Sequence, residues 1–318
     1  MTGGNLRSNP ARAFVIPVLD YSPASEYNIL TLLNDLEQIP GEVIVIFNSA
    51  AIGDELKAHP RITRYAIMKQ NVGVARAWNI GLHMAEAELV HIVNADAHLL
   101  LPAVEALEQG IGTLQHAVCV GPQGAFVNAG ACKDYHYFDK GSFNEPIQVD
   151  AVSGFFFCVN SRLMTQYGLS FDNRYTPCYF EEWDLGLQAK QAGLACWIVP
   201  TVAYDHHWSG TIRALRTIRY MGHEETAAQI LARNRTLFLD KWTSKIALDS
   251  GGLLQSGWKT YLMDAVRQAV CQERMEDAAG LSVTLTQVWP DDAEAIALAR
   301  FAAGCARKYA QQTNGGTV

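Results

Sequence analysis

The stretch from Leu89 to Leu101, Leu-Val-His-Ile-Val-Asn-Ala-Asp-Ala-His-Leu-Leu-Leu, constrains the fold more than any other part of the chain. Leu89 to Val93 is a short apolar run, broken by His91, with the pattern of a buried strand. It stops at Asn94-Ala95-Asp96. A strand ending in a small residue and a carboxylate presents that carboxylate at the carboxyl edge of a sheet, where open α/β sheets place their ligands. Asp96 could hold a divalent metal there. Taken alone, the commoner role of Asn94 and Asp96 in such a place is to cap the turn into a following helix, and the rest of the chain decides against it.

The flanking segments supply the rest of such a sheet. Ala13 to Val18 reads as a first buried strand. Ile29, Leu32, Leu33 and Leu36 then fall on one helical stripe, which Pro40-Gly41 ends. Val43 to Phe47 is a second strand rich in β-branched residues, followed by Asn48-Ser49, and Thr63 to Met68 is a weaker third. Val74, Trp78 and Leu82 recur every four residues, so a helix with Asn71 near its start leads into the Leu89 strand. Gly73 and the first-turn amides there could approach a diphosphate. Gly81, in mid-helix, costs about 1 kcal/mol against Ala and predicts a close packing contact. Strand and helix alternating in this order predict parallel βαβ units and a doubly wound sheet.

Bulk properties narrow the partners. With 318 residues, 49% hydrophobic and 18% charged, the chain is an ordinary globular mixture, more consistent with one large domain and an appendage than with two equal domains. The formal charge of −7 argues against nucleic acid or an anionic membrane as the main partner, so phosphate binding must be local. Seven scattered cysteines without a Cys-x-x-Cys pair fit a reduced, cytosolic protein. No stretch is long and apolar enough to span a bilayer.

In the middle of the chain, Val118 to Pro122 is a strand and turn. Residues 128 to 149, rich in Gly, Lys, Asp and aromatics, are expected to form a loop or small hairpin over the site, and Ala151 to Asn160 a strand. Glu181, Glu182 and Asp184 crowd the first turn of a helix, where its dipole favours acids. Ile198 to Gly210 contains His206-His207. Neighbours on a strand face opposite ways, so at most one of the two is expected to bind an ion. From Thr211 the pattern reads as helical, with Arg213, Arg216, Arg219, Arg233 and Arg235 facing either a phosphate group or solvent. Leu262, Ala265, Val266, Ala269 and Val270 form a stripe beyond a joint at Gly251-Gly252, and Pro290-Asp-Asp opens a last helix.

Taken together, Val15-Ile-Pro-Val18, Val43 to Asn48, Asn71-x-Gly73 with Asn79-x-Gly81, Asn94-Ala-Asp96, Val152-Ser-Gly154, Phe171-Asp172, Phe180 to Leu185, Ala192-Gly193 and Pro200 to His206 resemble the inverting GT-A glycosyltransferases of the family 2 type, including rhamnosyltransferase-like members. The resemblance covers about residues 13 to 210, and Asn234 to Trp242 resembles a segment that often follows. It implies an α/β GT-A fold, Rossmann-like with a mainly parallel central sheet flanked by helices, and a C-terminal helical appendage. The implied divisions are a polar tail at 1–12, the nucleotide-sugar-binding and catalytic domain at 13–210, a helical segment completing it at 211–249, and the appendage at 250–318.

The implied activity is transfer of a hexosyl or deoxyhexosyl group from a nucleoside diphosphate sugar, with inversion, to an acceptor saccharide, lipid-linked glycan or protein. Glu182 would be the base, with Glu181 or Asp184 at the acceptor. The donor would meet Pro17, Val18, Asp20, Asn48, Asn71, Asn79, Asn94, Ala95, Ser153 and Gly154. Asp96 and His206 would hold Mn²⁺ or Mg²⁺. The expected location is cytoplasmic, at most peripheral to the inner face of the membrane, and the C-terminal helices are a candidate surface for self-association.

Three residues depart from the family pattern: Phe47 where many relatives have Asp, Asn94 in the acidic metal motif, and Glu182 for Asp. They leave open a catalytically silent domain that binds a sugar nucleotide or a partner protein. A sugar-nucleotide pyrophosphorylase is disfavoured, because Leu19-Asp-Tyr-Ser-Pro23 is not a Gly-rich phosphate loop.

Overall fold

The computed structural model describes residues 11–206, 217–243 and 255–314, with side chains described over 11–206, 217–243 and 259–310. It divides into two compact units, Met1–Ser250 and Gly251–Val318.

In the first unit, β1 (Arg12–Val18), β2 (Glu42–Phe47), β3 (Arg64–Ile67) and β4 (Leu89–Val93) pair in parallel, in the order β3-β2-β1-β4. All six residues of β2 are buried, as a central strand covered on both faces requires. The connections carry α1 (Ile29–Asp35), α2 (Ala50–Leu56) and α3 (Val74–Met84). Asn28 caps α1 in a reciprocal capping box with Thr31. The short α2 was not expected from the sequence. At seven residues it shows too little of a stripe to be read.

Gly81 makes the expected close contact. A Cβ there would lie 2.1 Å from Val15 Cγ1, so α3 can seat on β1 only with glycine at that point. Gly73 has a different reason from the one expected. Its φ is +84°, and a Cβ would meet the Pro177 backbone at 2.8 Å. The Gly73 amide donates to Asn71 Oδ1 and the Val74 amide to Pro177 O, so these two amides are engaged by the chain itself.

Beyond β4 comes β5 (Ala97–Leu99), and α4 (Leu101–Thr113) starts only afterwards, with Leu100 at its cap and no side-chain capping bond. The capping alternative for Asn94 and Asp96 therefore fails. The sheet continues through β6 (Ala117–Gly121). The segment 128–149 supplies the turn and second strand of a hairpin, β7 (Gly124–Asn128) with β8 (Lys133–Phe138) antiparallel to it, and then β9 (Ile147–Val149). The single strand expected over 151–160 is two. β10 (Ala151–Val152) joins β7 in a three-stranded sheet, and β11 (Phe156–Asn160) lies antiparallel between β4 and β6 in the main sheet. Ser153-Gly154-Phe155 is the step between the two sheets.

After α5 (Ser161–Gln166) come α6 (Glu181–Gln191), β12 (Ala195–Ile198) and β13 (Tyr204–His206), which pairs with β5. The complete main sheet is β3-β2-β1-β4-β11-β6-β12-β9, mostly parallel, with β11 and β9 antiparallel to their neighbours. The helical reading from Thr211 is corrected at its start: β14 (Ile218–Tyr220) and β15 (His223–Glu225) form a hairpin before α7 (Ala227–Trp242). Met221 and Gly222, both at positive φ, make the turn. His207, Arg213, Arg216 and the Gly251-Gly252 joint lie outside the described residues.

The second unit consists of α8 (Gln255–Cys271), α9 (Met275–Val288) and α10 (Ala293–Asn314). Leu262, Val266 and Ala269 of the expected stripe are fully buried there. Among the described residues no helix is long and apolar enough to cross a membrane.

Candidate active site

β4 delivers Asp96 to the carboxyl edge of the sheet. The pairing of β13 with β5 sets His206 opposite Ala97, and His206 Nε2 lies 3.2 Å from Asp96 Oδ1. The His206 side chain is 4% exposed and that of Asp96 25%, so the pair opens on the Asp96 side. The imidazole stacks on Phe155 at 4.4 Å between centroids and 13° between planes, which fixes its plane. Octahedral ions hold ligands at about 2.1 Å, so two adjacent ligands lie roughly 3 Å apart. The Asp96–His206 spacing fits that geometry. Among the described residues no group of three or more His, Cys, Asp or Glu side chains could enclose an ion. A divalent cation here would take its other ligands from water and a diphosphate, the usual manner of Mg²⁺ sites.

Next to Phe155, Gly154 makes room for Glu182. A Cβ on Gly154 would sit 1.6 Å from Glu182 Oε1, so the carboxylate rests on the backbone of the step between the sheets. The same step is tied to β4 through the Asn94 amide, which donates to Phe155 O at 2.7 Å. Asp96–His206 on one side and Glu182 on the other thus meet at Gly154-Phe155.

Burial pushes the Glu182 carboxyl up to about 7, against the bond from its own backbone amide. Glu181 is 1% exposed, and its Oε1 has no hydrogen-bond partner among the described residues. Burial, then the charge of Glu182, drives its pKa well above the ordinary carboxylate range. Asp184 has a different setting. It is fully buried and accepts from Tyr175 Oη, Gln188 Nε2, Lys241 Nζ and Trp242 Nε1 at 2.6–3.1 Å. Its oxygens are taken up by the scaffold, which corrects the expectation that it reaches an acceptor.

The donor candidates separate in the same way. Asn48 and Asn71 line a cavity of about 650 Å³ at the carboxyl ends of β1–β3, together with Lys69, Gln70, Arg219 and His223. The hairpin forms one wall of it and is pinned by Asn71, whose Nδ2 donates to Arg219 O and whose carbonyl accepts from Met221 N. Asn48 Oδ1 accepts from the Val72 amide. Asp20, past the end of β1, is exposed and its Oδ1 accepts from Tyr21 N, and Pro17 is half-buried on β1. Val18 is fully buried, with its carbonyl accepting from Asn48 N, so it packs rather than presents a group. Asn79 Nδ2 donates to Phe171 O and Asn173 Oδ1, and its Oδ1 accepts from Phe171 N. Those bonds tie α3 to the 171–173 loop. Ala95 and Asn94 are half-buried in the turn after β4, and Ser153 Oγ accepts from Tyr137 Oη at 3.0 Å.

Phe47 is fully buried, edge-on to Tyr65, and belongs to the core. Sequence reasoning missed Phe155, the hairpin, and Tyr137 with Gln123 and Asp139 behind Ser153. Each acts through a contact between residues distant in sequence, and no local pattern announces it.

No protein-family model and no curated protein matches the chain by sequence. Solved structures do. A crystal structure of GalNAc-T7 with UDP, GalNAc and Mn²⁺ superposes with a TM-score of 0.55 at 12% identity, covering 74% of this chain and 48% of that one. Two structures of Staphylococcus aureus TarS, one of them residues 1–349 with UDP, match at TM-scores of 0.45 and 0.43 and at 18% and 17% identity. Each covers 61% of this chain, and the match spans 36% and 59% of the TarS chains. The chain thus spans less than two thirds of the length of these structures. Its fold is the GT-A glycosyltransferase fold.

Proposed function

We propose that this chain is an inverting glycosyltransferase that moves a hexosyl or deoxyhexosyl group from a nucleoside diphosphate sugar to an acceptor hydroxyl, aided by Mn²⁺ or Mg²⁺. The observation that carries the reading is the meeting of Asp96–His206 and Glu182 at Gly154-Phe155. The nucleoside would occupy the cavity beside Asn48, Asn71 and the hairpin, where Asn48 and Gln70 would offer amide groups to a base and Lys69 a cation to phosphate, with Asn71 holding the hairpin wall in place. Asp96 and His206 would hold the ion, which supplies positive charge to the diphosphate as it leaves.

Glu182 would take the proton of the acceptor hydroxyl as that oxygen bonds to the anomeric carbon. The bond from that carbon to the phosphate oxygen breaks, and the nucleoside diphosphate departs on the opposite face. A carboxyl titrating near 7 suits a base at neutral pH. Burial, then the charge of Glu182, pushes the neighbouring Glu181 carboxyl up as well, which disfavours a second charge beside the base. Ser153 and Gly154 would border the sugar, and the acceptor would be a saccharide, a lipid-linked glycan or a protein.

The test is a thermal-shift panel of UDP, dTDP, GDP and CMP, each with Mn²⁺ and with EDTA, followed by product analysis with the matching sugar nucleotide. A ligand at 100 times its dissociation constant adds about 2.7 kcal/mol. A shift with one nucleotide that vanishes in EDTA, and a product of inverted anomeric configuration by NMR, is expected. A flat panel from folded protein overturns the reading in favour of a silent domain, and a product of retained configuration overturns inversion.

A further inference from the structure

The two residues before α6 have backbones that ordinary side chains avoid. Tyr179 and Phe180 both have φ of +80°, and Phe180, at ψ −2°, is left-handed at the helix cap. Bulky residues take this conformation only where the surroundings impose it. Glu181 and Glu182 follow directly, so this turn sets the direction in which α6 starts.

What holds the turn is α7. Asn234 is fully buried, and its Nδ2 donates to Cys178 O at 2.7 Å and to Tyr179 O at 3.3 Å. Its Oδ1 accepts from Arg233 Nη1, while Arg233 Nη2 donates to Thr176 O and Tyr220 Oη. One turn along, Phe238 packs on Phe180 at 5.1 Å between centroids. Further on, Lys241 and Trp242 bind Asp184 of α6. The helix therefore grips the carbonyls before the turn, the ring within it and the carboxylate after it. Only Asn234 satisfies carbonyls of the turn by a buried side-chain amide among these grips.

We propose that Asn234 is a positioning residue: by holding the Cys178 and Tyr179 carbonyls it keeps the left-handed turn formed and so keeps Glu182 seated on Gly154. The inference rests on the reading of Glu182 as the base for its effect on catalysis, although the seating itself is independent of it. An alanine at 234 leaves two carbonyls without their donor, and the turn then relaxes out of the left-handed region. Glu182 follows it off the Gly154 backbone and into water.

The test compares Asn234→Ala with wild type in the full chain. The first readout is the Glu182 carboxyl titration by ¹³C NMR, assigned with Glu182→Gln. It is expected to fall from about 7 by at least one unit, toward the ordinary value near 4.3. The second is transfer kinetics, with kcat down at least tenfold, donor KM within threefold, and the acid limb of the kcat profile displaced with the titration. An unmoved titration overturns the proposal, whether or not stability or KM has changed. If wild type transfers no sugar, the transferase reading fails by itself, and the titration still decides the positioning. Should Asn234→Ala not fold, two further variants read the same turn. Tyr179→Gly in the Asn234→Ala background supplies a residue that takes the φ of +80° without strain. Asn234→Asp keeps the size of the side chain but sets an acceptor against the Cys178 and Tyr179 carbonyls. Glu182 is expected to keep its raised titration in the first and lose it in the second, and equal titration in the two overturns the proposal.

Discussion

Glu182 and Gly154 form one unit, and substitutions at the two should separate chemistry from folding. Glu182→Gln keeps shape and removes the base, so kcat is expected to fall by about 10²–10⁴-fold while nucleotide affinity stays unchanged by titration calorimetry. As the proposed base, Glu182 works only when ionised, so kcat should rise with pH and level off above about 7. Stability runs the other way. The folded value lies above the unfolded one, so the folded state binds the proton more tightly, and that advantage is lost as pH rises through 7. In urea unfolding, wild type should therefore weaken relative to Glu182→Gln between pH 5 and pH 8. Gly154→Ala drives its Cβ into the end of a flexible carboxylate, which can swing away. It should cost little stability and most of kcat. At the ion site, Asp96→Ala should abolish the Mn²⁺-dependent part of the nucleotide thermal shift. A shift that persists unchanged would remove Asp96 from the site. The carboxylates and His206 were legible in the sequence as candidates because polar residues that stop an apolar run mark strand ends and helix starts. What surrounds each was not: Asp184 and Glu182 are two residues apart, yet one is closed off by Lys241 and Trp242 and the other rests at the step between two sheets.

Among the elements, α3 and α6 are placed by glycines that meet different obstacles. Opposite Gly81 are the Cγ atoms of Val15, and opposite Gly186 is the Asp150 carbonyl oxygen, 1.8 Å from the position of a Cβ. A backbone oxygen in β10's approach cannot turn aside, so Gly186→Ala should displace α6 and cost about 3 kcal/mol, seen as a lower denaturant midpoint with unchanged slope. Gly81→Ala presses on a side chain in a filled core and is expected to cost about 1–3 kcal/mol. The close contact at Gly81 was readable, since a glycine inside a clear 3.6-residue stripe has no local reason to be there. The break between β10 and β11 was not, because both halves are apolar and a continuously buried run looks the same whether it stays in one sheet or crosses to another. The hairpin β14–β15 escaped for a related reason: three-residue strands are too short to show a period.

For the molecule as a whole, a formal charge of −7 gives a diphosphate no general attraction, so on the proposed reading its binding rests on local positive charge, chiefly the ion at Asp96 and His206. EDTA should therefore erase nucleotide stabilisation while leaving the melting temperature of the ligand-free protein unchanged, since the Asp96–His206 pair is joined to the scaffold by strand pairing and by the Phe155 stack. A large loss of ligand-free stability in EDTA would instead mean a structural ion. By itself the sequence determined the α/β class, the parallel succession of the first four strands, and the residues that stand where those strands end. These follow from hydrophobic period and from chain connectivity, which are local. Tertiary structure alone decided that β11 enters the sheet antiparallel, that Asp184, Asn79 and Val18 serve the framework, and that Gly154-Phe155 lies between Glu182 and the Asp96–His206 pair. Those outcomes depend on which distant surfaces are brought together and on the space left between them, quantities that no local pattern along the chain encodes.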